Sequence, residues 1–164
     1  MPEKAGAEDR PSSGARRVIP PPVLFFSCLL AGWGLGTWRP LSIGLSEVPA
    51  RLAVAVPLFL AVCAIFAWSF GLFRRHDTSI SPWGDPTALI TTGPYRFSRN
   101  PLYVATALTL LAFSLLLDSL WILGLVPVLL LLLDRLVIRH EETRLLLRFG
   151  ERYAAYSSRV RRWI

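Results

Sequence analysis

The amino-acid sequence predicts an all-α fold: a polytopic membrane helical bundle of about four spans, followed by an amphipathic helix. Three observations carry that prediction. Hydrophobic residues make up 53% of the 164, too many for a soluble domain of this size. They fall into four runs, at about 22–38, 51–73, 102–117 and 120–138, with polar segments between them. Between the third and fourth runs only Asp118 and Ser119 intervene, so the last two spans must form a tight antiparallel hairpin.

Residues 1–20 mix Pro, Ser, Gly and Ala with both charge signs and lack periodicity, the composition of a disordered leader; residues 21–164 then form one membrane domain. Arg16-Arg17 precedes an apolar run as in an export signal, but no small-residue cleavage site follows and further spans do, so export is not expected. The first run is short for a span and draws on Trp38 at the interface. Its Gly32-Trp33-Gly34-Leu35-Gly36 follows no strand and lies within an apolar helix, so the glycines predict close helix packing, not phosphate binding. The second run contains Pro57, which a membrane helix tolerates, and ends at Arg74-Arg75. A polar loop centred on Ser81-Pro82-Trp83-Gly84-Asp85-Pro86 follows.

Near the end of the fourth run stand Asp134 and Arg135, charges that need a partner or a cavity in a membrane. Beyond them Leu146, Phe149, Tyr153, Tyr156 and Val160 recur at intervals of three and four, which predicts one amphipathic helix with a single apolar-aromatic stripe. Cys28 and Cys63 both lie in apolar runs and read as small core residues, not as a disulfide or a metal pair. His76 and His140 lack metal-site spacing, so no metal is expected.

The net charge of +7 sets topology. Sixteen of the eighteen Lys and Arg residues fall in the leader, in 74–99 or after residue 134, leaving only Arg39 and Arg51 on the other side. The positive-inside rule then places both termini in the cytoplasm, in a multi-pass protein of the plasma or inner membrane. No continuous basic face with interleaved aromatics exists, which argues against nucleic acid as a partner. The lipid bilayer is the expected partner; the glycine-bearing first helix offers a packing face but does not define an oligomeric state.

The stretch from Leu89 through Ile90, Thr91, Thr92, Gly93, Pro94 and Tyr95 to Tyr103 has the makings of a site. Gly93-Pro94 supplies a turn. Asn100 is a good N-cap and Pro101 suits the first helical position. The free N–H groups of that first turn, with Arg96 and Arg99 beside them, favour a carboxylate or another anion. Tyr103 is four residues after Arg99, so the two side chains face the same way. Glu142 is four residues before Leu146 and faces the packed side of its helix, where an unpaired carboxylate is costly; Arg96, Arg99 and Arg135 are the partners in reach.

Gly93-Pro94-Tyr95-Arg96 leading to Arg99-Asn100-Pro101-Leu102-Tyr103, then a short hairpin, Glu141-Glu142 and Phe149-Gly150-Glu151-Arg152-Tyr153-Ala154-Ala155-Tyr156, resembles the membrane isoprenylcysteine carboxyl methyltransferase family. The related phospholipid methyltransferases share much of the pattern. The resemblance covers about 77–164. Asn100 stands where prenylcysteine enzymes carry His, a substitution common in bacterial relatives that moves the expectation away from a prenylated protein as substrate.

The resemblance implies S-adenosylmethionine held by Leu89 to Tyr95, Tyr103, Glu141 and Glu142, and methyl transfer to an apolar or lipid-linked acceptor. A carboxylate with tyrosine faces suits a sulfonium cation, and the helix start at Asn100-Pro101 suits the cofactor carboxylate. Arg99, Asn100 and Arg139 are the expected catalytic positions, with Arg139 orienting an anionic acceptor. One alternative is an isoprenoid or sterol reductase using NADPH, but those enzymes resemble Asn-Tyr-x-Gly-Glu after the proline, where this chain has Leu102-Tyr103-Val104-Ala105. The other is a non-catalytic membrane scaffold.

Overall fold

A computed structural model describes residues 19–78 and 87–164. All but the last two residues of the expected leader, and the turn at 81–86, lie outside the described residues. The described part is mainly helical: α1 Pro21–Trp38, α2 Val48–Arg75, a 3-10 turn Gly93–Arg96, α3 Pro101–Leu116, α4 Leu120–Leu133, α5 Arg139–Phe149 and α6 Glu151–Arg159. A π turn, Asp134–Ile138, joins α4 to α5, so a single 30-residue helix runs from Leu120 to Phe149. No strand occurs among the described residues.

Among the described residues three helices are long and apolar enough to cross a membrane: α1, α2 and the Leu120–Phe149 helix. The 16-residue α3 is about 24 Å long, a shorter fourth member of the bundle. The protein is therefore an integral membrane protein.

The helices pack in the order α2, α3, α4, α1. Small residues permit the closest contacts. On α2 the buried residues are Ala55, Val62 and Ser69, and on α3 they include Ala105 with Ala112 and Ala107 with Ser114. All recur at seven-residue intervals, the spacing of a continuous seam between two helices, and small side chains let the backbones approach. Larger apolar residues fill the α1, α3 and α4 side: Phe25, Leu110, Ile122, Leu129 and Leu133. Of the α1 glycines, Gly32 alone is in tight contact: an added Cβ would lie 2.7 Å from Ile122 Cγ1 and 3.0 Å from its Cα, whereas at Gly34 it would meet nothing within 4 Å. Cys28 is buried, but Cys63 is exposed on the outer face of α2, a correction to its expected place in the core. Apolar sequence alone does not separate a helix face turned to lipid from one turned to protein.

The α3–α4 turn is clasped to the 39–45 loop. Asp118 has φ +50°, which Asp tolerates better than most residues. Its carboxylate accepts from the Ser42 hydroxyl (2.6 Å), the Ile43 amide (2.9 Å) and the Leu45 amide (3.2 Å), and pairs with Arg51 at 3.2 Å. The Leu120 amide donates to the Leu41 carbonyl, and the Trp121 indole to the Arg39 carbonyl.

Two expectations follow. Gly32→Ala lowers the thermal midpoint in detergent by a few degrees, while Gly34→Ala leaves it unchanged, as followed by circular dichroism. The Ser42 hydrogen bond, opposed by partial burial but reinforced by the two amides and Arg51, holds the Asp118 carboxyl below its ordinary 3.8. A lowered carboxylate contributes stability above its unfolded value and loses it as pH falls through the folded one. Asp118→Asn therefore melts earlier than the parent at neutral pH, and the gap closes as pH is taken below 3.8.

Candidate active site

The opposite end of the bundle gathers the site residues. Gly93 turns the chain with φ +62°, a conformation open to glycine. An added Cβ there would lie 2.7 Å from Leu72 and 2.9 Å from the Trp68 indole nitrogen, so the turn sits directly on α2. Tyr95 follows, its ring edge-on to Phe73 at 6.0 Å, and the Tyr156 hydroxyl of α6 donates to its carbonyl at 2.7 Å. The fully buried Ser69 hydroxyl lies near the Tyr95 hydroxyl without a well-formed hydrogen bond.

Two clusters sit behind this turn. In the first, Tyr103 of α3 donates to Glu141 of α5 at 2.8 Å, and Tyr95 is close enough to feel the Glu141 charge. Burial above all, with Glu141 and Tyr156 adding to it, pushes the Tyr95 phenol above its ordinary value. Tyr153 and Tyr156 are raised too, both chiefly by burial. These phenols therefore stay neutral at physiological pH.

The second cluster is ionic. Glu142 pairs with Arg99 at 3.1 Å and accepts two bonds from Arg162, at 3.1 Å from Nε and 2.6 Å from Nη2. Arg162 also reaches Asp134 at 2.9 Å, and Asp134 accepts from Arg139 at 3.0 Å. The hydrogen bond to Glu142 is the main cause of a pKa for Arg162 above its ordinary value. A cavity of about 540 Å³ opens on this network, lined by Arg99, Arg139, Glu142, Thr143, Leu146, Tyr153, Ala154, Ser157 and Arg162.

Of the residues singled out from sequence, Tyr95, Tyr103 and Glu141 meet in the first cluster, and Arg99, Arg139 and Glu142 in the second. The expected partner of Glu142 is present in Arg99; Arg96 and Arg135 are not used. Leu89 and Ile90 lead into the turn, Ile90 and Pro94 are buried, and Thr91 and Thr92 are exposed. Asn100 occupies the N-cap position without capping through its side chain: its amide donates instead to the Arg162 carbonyl at 3.0 Å. The expected continuous C-terminal helix is also corrected. Gly150, at φ +53° and ψ −126°, breaks it into α5 and α6, because that backbone conformation is essentially glycine-only. The apolar stripe splits, leaving Leu146 49% exposed while Tyr153 is 4% exposed.

The phospholipid methyltransferase family model matches residues 50–152, well over half of the chain. The chain belongs to the phospholipid methyltransferase family. It is thereby a membrane methyltransferase of the broader group that its motifs resemble. Comparison with curated proteins and with solved structures gives no match. The part matched to the phospholipid methyltransferases contains the 89–103 junction and both glutamates, whereas α1 and most of α6 lie outside it. Sequence reasoning missed Arg162, Tyr153 and Ser157 as site residues: the arginine counted only towards topology, and the tyrosine towards an apolar stripe and the family motif.

Glu142→Gln takes a carboxylate from Arg99 and from Arg162, which keeps Asp134. Their partial exposure places the cost between that of a surface pair and a buried one, about 2 kcal/mol, measurable as lost unfolding free energy in detergent.

Proposed function

We propose that the protein transfers a methyl group from S-adenosylmethionine to an apolar or lipid-linked acceptor, with residues 21–164 acting as one methyltransferase domain. The observation that carries the reading is the convergence, at one end of the bundle, of the Leu89–Tyr95 approach, Tyr103 and the Glu141-Glu142 pair within a family of phospholipid methyltransferases. The charge distribution supports a cytosolic position for this end and for both termini, in a plasma or inner membrane.

The residues fit the cofactor's chemistry. Glu141 is a carboxylate bonded to a phenol and flanked by a second tyrosine, with the Arg144 charge nearby; carboxylate and aromatic faces together suit a cation. Glu142 is already matched by two guanidiniums, so Glu141 is the better receptor of the pair. Arg99, Arg139 and Arg162 outnumber Glu142 and Asp134 around the cavity, which leaves positive charge for an anionic group, whether the cofactor's carboxylate or the acceptor's head. Arg139, more than half exposed, is placed to orient that head.

When bound, the cofactor supplies a methyl on a positively charged sulfur, and its departure as a neutral sulfide needs no proton. The protein's part is to hold the partners in line and exclude water. Tyr95, Tyr103 and Glu141 bind and orient; Arg99 and Arg139 position anionic groups. A dedicated acid or nucleophile is not required.

Isothermal titration of the purified protein in nanodiscs with the product S-adenosylhomocysteine tests the reading. One site per chain is expected, lost or weakened at least tenfold, about 1.4 kcal/mol, in Glu141→Gln and Tyr95→Ala. Absence of binding by the parent protein overturns the reading in favour of a non-catalytic scaffold.

A further inference from the structure

Arg162 lies beyond the family-matched residues, yet its side chain makes three hydrogen bonds at the site. Its guanidinium uses three nitrogens on two carboxylates: Nε and Nη2 on Glu142, Nη1 on Asp134. Those acids stand eight residues apart, on either side of the π turn's end, so the fork spans the junction where α4 becomes α5. The main chain of the same segment is held as firmly. The Arg162 carbonyl accepts from the Asn100 amide at 3.0 Å and the Ser98 hydroxyl at 3.3 Å, and the Arg161 carbonyl accepts from the Arg99 amide at 3.0 Å. Trp163 packs against the apolar cluster next to it.

We propose that Arg162 is a positioning residue for the cofactor site. It acts through Glu142: by clamping that carboxylate and the Asp134 turn while its own carbonyl anchors the Ser98–Asn100 junction, it fixes the distance between the two halves of the pocket. Glu141, one residue from Glu142, is thereby held towards Tyr103. A planar fork is needed to address two acids at once; a lysine ammonium is a single point charge and cannot reproduce it. The segment 160–164 is thus a strap, its guanidinium on α5 and its backbone at the start of α3.

This inference rests on the methyltransferase reading, and one titration series separates the two. S-adenosylhomocysteine is titrated into the full chain in nanodiscs, as parent, Arg162→Lys, Arg162→Ala, Glu142→Gln and the double variant Glu142→Gln/Arg162→Ala. Both Arg162 variants are expected to bind about tenfold more weakly or worse, the scale of a lost charge-assisted bond, with the number of sites per folded chain unchanged. The double variant is expected to bind no worse than Glu142→Gln alone, since a residue that acts through another adds nothing once that other is gone. A merely structural role would instead lower the number of competent sites at constant Kd, and that result overturns the proposal, as does full rescue by lysine or additive losses in the double variant. Failure of the parent to bind overturns the functional reading, and this inference with it.

Discussion

The architecture depends on the need to neutralise two carboxylates, Glu142 and Asp134, where a long apolar helix leaves the bilayer. Both side chains are only 15% exposed, and a carboxylate left alone in such a place costs several kcal/mol. Arg99, Arg139 and Arg162 meet that need from the start of α3, from α5 itself and from the segment after α6. Satisfying the acids therefore brings three parts of the chain together at one end. At the other end Asp118 does the same with Arg51 and two amides. With a polar clasp at each end, the middle of the α2–α3 seam needs only small residues that fit.

The glutamate pair divides its work because neighbouring residues on a helix point about 100° apart. Glu142 turns to the guanidiniums and is neutralised. Glu141 turns to Tyr103 and keeps a neutral phenol as its hydrogen-bond partner. The π turn immediately before them matters here: it inserts a wider turn, of the kind often found at functional sites, and resets which face of the following helix each glutamate occupies. The single glycine break at residue 150 completes the arrangement by folding α6 back, so that Tyr156 reaches the Tyr95 carbonyl and Tyr153 stands against Arg99.

Most of the helical framework was legible in the sequence, because span length and apolar runs are set by the solvent and not by the details of packing. The four runs match α1 to α4 within a few residues, and the Asp118-Ser119 connection produced the hairpin it required. The Glu142 partner was legible for a related reason: an acid on a packed face demands a cation, and Arg99 was in reach. What escaped reading is tertiary. Nothing local distinguishes Arg162 from Arg159 or Arg161, and its role arises only when the chain returns to α3. A three-and-four periodicity runs unbroken across Gly150 in the sequence, while the helix breaks there. Asn100 looked like a helix cap because its residue type and the proline after it are right; its side chain instead donates through its NH2 to the Arg162 carbonyl, and its oxygen does not cap the first turn.

The length of the last long helix explains why the site sits where it does. Thirty residues from Leu120 to Phe149 make a rod of about 45 Å, against a hydrocarbon layer of about 30 Å. Some ten residues must therefore project beyond the apolar layer, and the charged part of the helix, from Asp134 onward, is the part that can. The cleft between α3 and α4, lined by Val104, Leu108, Leu111, Val126, Leu130 and Trp163, is apolar. The cavity with Arg139 and Glu142 is ionic, and Arg162 and Trp163, consecutive in the chain, line one each. On the methyltransferase reading, a charged cofactor and a lipid-dissolved acceptor share no common solvent, so transfer is possible only at such a boundary. The polar end of the bundle is where this fold provides one.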